Sequence, residues 1–195
     1  MTSANPLFVV RKRPRQARSV VMVSNILEAA ARILEVEGMA GFNTNAIAER
    51  AGVSVGSVYQ YFPSKGAVVV ELIRQMRAAL VESLQRQERL TRGMDLPAAL
   101  DVFIRAAVSN QPARPHLTRI LEYVEAVSAV EGETETTKQV IVATVAQALA
   151  DREVADPATS ARDIVALTLG MVDSPSLFGD TDRPTLEGRI RRAVY

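Results

Sequence analysis

Apolar residues at Val20, Val23, Ile26, Leu27, Ala30, Ile33 and Leu34 follow the three- and four-residue spacing of one helix face, and Gly38 is a natural stop. Thr44 can cap a short second helix running to Ala51, with Ile47 and Ala48 facing inward. Gly52 then supplies a tight turn, Ser54 can cap a third short helix to about Tyr61, and Pro63 interrupts it. Ser64 can cap a long fourth helix whose apolar face includes Val69, Leu72, Ile73, Met76, Leu80 and Leu84.

The helical period continues to the end of the chain. Asp95 and Pro97 start a helix carrying Leu100, Phe103, Ile104 and Ala107, and residues 111–115 form a proline-rich break. Leu117, Ile120, Leu121, Val124 and Val127 belong to a further amphipathic helix closed by Gly132. Residues 136–153 repeat the style, Asp156 and Pro157 open a helix to Leu169, residues 173–184 form a loop, and a last short helix follows. No segment alternates with the two-residue period of a strand, and no internal repeat is evident. The expected fold is all-α. Residues 1–18 are expected to be a basic, flexible arm, 19–65 a three-helix domain, and 66–195 a larger helical domain.

Composition narrows the chemistry. Of 195 residues 48% are hydrophobic and 23% charged, enough apolar surface for a packed core. There is no cysteine and only one histidine, His116, so thiolate metal sites, cysteine nucleophiles and multi-histidine clusters are excluded within one chain. No metal, cofactor or catalytic residue is expected. No stretch approaches the ~20 apolar residues of a membrane span. The apolar run 7–10 is too short for a signal peptide and precedes the basic stretch, so a soluble, cytoplasmic protein is expected. The net charge of +1 conceals an asymmetry: up to Lys65 eight basic residues face four acidic ones, and beyond it 15 face 18. A basic front on a slightly acidic body suggests that one end meets a polyanion.

The short helices 44–51 and 54–61 and the turn between them have helix-turn-helix spacing. Ala48 is small enough for the second helix to cross closely, Gly52 tolerates positive φ, Val53 can plug the corner and Val58 can pack inward. The first helix would brace against phosphates while the second enters the major groove. The run from Thr44 through Ile47-Ala48 and Gly52-Val53-Ser54, then Gly56 to Tyr61-Phe62-Pro63-Ser64-Lys65, resembles the DNA-binding signature of the tetracycline-repressor (TetR) family over residues 20 to about 70.

That resemblance implies residue roles. Thr44 matches a phosphate contact and Asn45 a position that can reach a base. Val55, Gly56, Ser57, Gln60 and Tyr61 match groove-facing positions, Tyr59 a backbone-anchoring tyrosine, and Lys65 a phosphate-binding lysine. Residues 54–61 contain no Arg or Lys, so the commonest bidentate contact to guanine is missing from the reading helix. Base reading would fall to Gln60 and Asn45, which suit adenine, and to Ser57, with Val55 available to a thymine methyl. The basic residues 11–18 can enter an adjacent minor groove.

The family also implies a double-stranded operator, a homodimer using the last two helices (here about 160–169 and 184–194), and an effector-binding body. One helix-turn-helix reads only ~4 to 6 base pairs, so a dimer spanning grooves ~34 Å apart is expected. The short, basic last helix, with Arg189, Arg191 and Arg192, departs from a long apolar dimer helix. Phe103, Tyr123, Met171 and Phe178 are candidates to line a pocket for an apolar or amphipathic small molecule. The leading expectation is a ligand-responsive transcriptional repressor. The alternatives are a DNA-binding adaptor governed by a protein partner, and a helical enzyme without DNA binding, for which no supporting constellation is present.

Overall fold

The computed structural model describes residues 17–109, 114–127, 131–178 and 183–194, with side chains described for all of these except 17, 109, 115, 126–127, 131–136, 173–178 and 183–184. The expected arm at 1–18 lies almost wholly outside that range. The described residues form nine helices and no strand: α1 (Ala17–Gly41), α2 (Thr44–Ala51), α3 (Val55–Tyr61), α4 (Lys65–Leu90), α5 (Leu96–Ser109), α6 (Pro115–Val127), α7 (Glu131–Ala150), α8 (Pro157–Phe178) and α9 (Arg183–Val194). The all-α expectation holds.

Several boundaries follow from the predicted caps. The Ser64 hydroxyl accepts from Ala67 N at 3.1 Å and the Asp95 carboxylate from Ala98 N at 2.9 Å, so each satisfies an orphan donor of a helix first turn. Gly38 breaks the helical path of α1 with φ 64° and ψ −160°, where the sequence predicts a stop. Two boundaries differ from expectation. Gly132 lies inside α7 rather than closing α6. Helix α8 runs to Phe178, past the predicted end at Leu169, with Pro175 in its last turn. Met171 and Val172 pack against a cluster containing Leu186 and Ile190, and that burial carries the helix through a segment that reads as loop.

The chain divides into two compact units. The first contains α1 to α3, α4 as far as Arg77, and α6. Its core centres on Ile26, Ile33, Leu34, Phe42, Ile47, Val58, Phe62, Val68 and Ile73, joined by Leu117 and Leu121 of α6. The sequence pattern alone grouped α6 with the body, but it packs in the first unit, against α1 and α4. Arg114 reaches both Glu28 at 3.0 Å and Glu35 at 2.6 Å, and His116 Nδ1 lies 2.7 Å from the Glu35 carbonyl. The Glu28 carboxyl is held below its ordinary range, chiefly by the hydrogen bond from Arg32 and with help from Arg114. These pairs are partly exposed and orient α6 more than they stabilise it. Deeper in, Arg77 of α4 pairs with Glu125 of α6, and both side chains are nearly buried.

The second unit comprises α4 from Ala78, α5, α7 from Gly132, α8 and α9. Leu100, Val145, Leu149 and Ala161 form one cluster, and Ile104, Val108, Leu186 and Ile190 another. No described helix is long and apolar enough to cross a membrane.

Removing one partner of a nearly buried ion pair strands the other charge. Glu125→Ala is therefore expected to destabilise the protein by about 3–5 kcal/mol, whereas Arg77→Met combined with Glu125→Leu recovers most of that loss. Urea unfolding of the single and double variants checks this. Equal losses in both would mean that the pair contributes packing volume and little electrostatics.

Candidate nucleic-acid interface

The interface is built on the corner between α2 and α3. Gly52 adopts φ 67°, ψ 34°, the left-handed region that costs a residue with a Cβ ~1–2 kcal/mol. From that conformation Gly52 N donates to Glu49 O at 3.1 Å and Val53 N to Ala48 O at 3.0 Å, the paired bonds of a Schellman stop. Val53 is partly buried and packs against the core cluster, so apolar burial supports the turn. Ser54 Oγ accepts from Ser57 N at 3.0 Å and starts α3.

One cap differs from expectation. Asn43 caps α2, its Oδ1 accepting from Ala46 N at 2.9 Å, and Thr44 is the first residue inside the helix. Both residue types cap well, so composition alone did not separate them. The shift leaves the Thr44 hydroxyl unspent on capping, and it lies 3.3 Å from the Tyr59 hydroxyl across the corner. Lys65 joins this group through the backbone. Its Nζ donates to Phe42 O at 3.2 Å, two residues ahead of Thr44. Thr44 and Tyr59 thus meet across the corner while Lys65 is tied to the residues just ahead of α2, an arrangement that suits an anion such as a phosphate. The internal bond also gives Lys65 a reason to sit at the first turn of α4, where a cation opposes the helix dipole.

Along α3 the helical period sorts the remaining candidates. Val58 and Tyr61 point into the core together with Phe62, and Tyr61 is only 4% exposed. Tyr61 is therefore corrected from a groove-facing residue to a core aromatic. Tyr59, at 42% exposure, and Gly56 and Gln60 face outward, as does Asn45 on α2. Val55 is half-buried and packs on the core, so only part of its surface is available. The Ser57 hydroxyl is already engaged with Ser54 Oγ at 2.8 Å. The free amide groups at this face are those of Asn45 and Gln60.

The predicted pocket residues do not come together. The second unit holds a cavity of about 70 Å³ whose wall includes Phe103. Met171 instead packs beside Leu186 and Ile190, Tyr123 belongs to the first unit and is 69% exposed, and the Phe178 side chain lies outside the described residues. Their helical spacing carried no information about which unit each helix joins. Thr168, which lines the cavity, escaped the sequence reading because one threonine on an apolar face gives no signal.

Comparison with known proteins agrees with this geometry. The family of bacterial regulatory proteins, tetR family, matches residues 26–72, the segment that forms α2, α3 and their flanks. The nucleoid occlusion factor SlmA of Haemophilus ducreyi is 32% identical over 120 residues, 60% of this chain and 55% of that protein. The chain thus spans about half the length of the curated relatives it matches. Among solved structures, a TetR-family transcriptional regulator from Mesorhizobium loti superposes with a TM-score of 0.69 at 18% identity, covering 92% of this chain and 96% of that one. SmeT of Stenotrophomonas maltophilia, in complex with triclosan, gives 0.64 at 20% identity over 89% of each chain. Likeness at this identity is a likeness of fold.

Two glycines of the corner separate stability from binding. Nothing lies within 4 Å of a Cβ added at Gly52, so Gly52→Ala is resisted by φ alone and is expected to cost ~1–2 kcal/mol. A Cβ at Gly56 meets only Ser54 Oγ, at 3.7 Å. Gly56→Ala should therefore keep or raise Tm while weakening DNA binding by crowding the groove face. Thermal unfolding and fluorescence anisotropy on duplex DNA distinguish the two. A Gly56 variant that unfolds early would make that glycine structural.

Proposed function

Through residues 26–72 the chain belongs to the tetR family of bacterial regulatory proteins, and on that premise we propose that it is a sequence-specific DNA-binding transcriptional regulator. It acts in the cytoplasm as a homodimer on a pseudo-palindromic double-stranded operator, as a repressor relieved by a small apolar or amphipathic molecule. The observation that carries this reading is the division of α3 into an anchored face (Val58, Tyr61) and an open one (Gly56, Tyr59, Gln60), beside the Thr44–Tyr59 hydroxyl contact and the bond from Lys65 to Phe42 O.

The division of labour follows from the chemistry. Thr44, Tyr59 and Lys65 contact phosphate and set register, which supports affinity without sequence information. Gln60 and Asn45 present donor and acceptor together, the pattern that matches adenine in the major groove. Val55, Gly56 and Ser57 complete the groove face by apolar contact and close approach. A dimer places two such heads on successive turns, and α8 and α9 are the helices proposed to join the protomers. Helix α4 runs unbroken out of the first unit into the second, so it is the covalent route by which an occupied body would bias the head. Any such bias is limited by the ligand's difference in affinity between the two states.

A second reading draws on the SlmA match: a DNA-binding adaptor governed by a protein partner. A body built to be read by a protein needs an exposed apolar patch and no cavity. The cavity of the second unit favours the ligand-responsive reading.

Gel-shift titration against the DNA flanking its own gene, at two salt concentrations and with competitor DNA, tests the function. Gln60→Ala should lose ~1–3 kcal/mol of discrimination at one operator position, and an unchanged sequence preference would remove Gln60 from the reading set. Lys65→Ala should weaken binding to every sequence and flatten the slope of log K against log salt by about one unit. An unaltered slope would mean that Lys65 touches no phosphate.

A further inference from the structure

The wall of the cavity in the second unit is hydrocarbon but for one side chain. Leu84, Phe103, Ile104, Val145 and Ile164 represent the lining, and Thr168 alone contributes a polar side-chain atom. Thr168 is 7% exposed, and its Oγ1 has no hydrogen-bond partner among the described residues. Helical threonines ordinarily return the hydroxyl to the carbonyl one turn back. Thr144 does so with Val140 O at 2.8 Å, and Thr118 with Arg114 O at 3.2 Å. Thr168 makes no such bond, and a valine would fill the same volume without desolvating a hydroxyl. Bound water is a poor partner here, because a buried water needs two to four polar groups and the side chains of this wall offer one.

We propose that the cavity binds a compact, neutral molecule with an apolar body and a single hydroxyl or carbonyl group, which Thr168 Oγ1 recognises. This deepens the effector reading and rests on it for any consequence at DNA. Charged ligands are excluded by a wall without an ionisable side chain, where an unpaired charge would be stranded. Volume sets the size. An engineered cavity of about 150 Å³ holds benzene, so about 70 Å³ suits a body of roughly three to four heavy atoms. Thr168 is then the specificity-determining residue, selecting an alcohol or ketone over the hydrocarbon of the same outline.

The test titrates the full chain with 2-propanol and with isobutane, following the methyl resonances of Ile104, Ile141, Val145, Ile164 and Val165. Both probes should shift these methyls, and Ala107→Leu, which fills the cavity, should abolish the shifts. In Thr168→Val the ratio of alcohol to hydrocarbon affinity should fall roughly three- to tenfold, while Thr168→Ser, which keeps the hydroxyl, holds the ratio near that of the native protein. An unchanged ratio in Thr168→Val, or cavity methyls that respond to neither probe, would overturn the proposal. Operator affinity measured in parallel separates the two levels. If the alcohol binds and the ratio falls while DNA binding is unaffected, the site stands and the effector reading fails.

Discussion

The left-handed backbone at Gly52 is the constraint on which the head of this molecule depends. It ends α2, turns the chain in three residues, and returns Val53 to the core. Once α3 starts at Ser54, Val58, Tyr61 and Phe62 have one apolar surface to cover, and they cover it. The opposite face of a seven-residue helix then has no freedom left: Gly56, Tyr59 and Gln60 must point outward. The face proposed to read DNA is a consequence of burial on the other side.

That logic explains why much of the site was legible. Ser54, Ser64, Asp95 and Gly52 each carry a local signal, a cap oxygen or an absent Cβ, that needs no tertiary information. What failed did so for physical reasons. Asn43 and Thr44 cap equally well, and only the path of the chain chooses between them. Tyr61 follows Val58 by three residues, the spacing of one helix face, and that period outweighs the groove-facing role its motif position implies. The prolonged α8 and the docking of α6 on α1 depend on partners distant in sequence, such as Leu186 for Met171 and Glu35 for Arg114. No local pattern encodes those meetings.

The first unit offers an unusual economy of charge for a DNA reader. Its described recognition helix has no cation, and the nearby Lys65 spends one of its hydrogen bonds on Phe42 O. In the proposed function, specificity rests on the amides of Asn45 and Gln60, and affinity on hydroxyls and helix starts. The second unit is its chemical opposite, a hydrocarbon wall with one unsatisfied hydroxyl. One helix, α4, runs from the unit that carries the polar face of α3 into the unit that holds the apolar cavity.

The central claim is that the outward face of α3 reads sequence. Binding of the native protein and of Gln60→Ala to a randomised duplex pool, with the selected DNA sequenced, tests it most directly. The account predicts that the native protein enriches a two-fold symmetric site with half-sites about one helical turn apart, and that Gln60→Ala relaxes the same position in both halves. Enrichment of no motif by the native protein, with binding that falls alike for all sequences as salt rises, would contradict it.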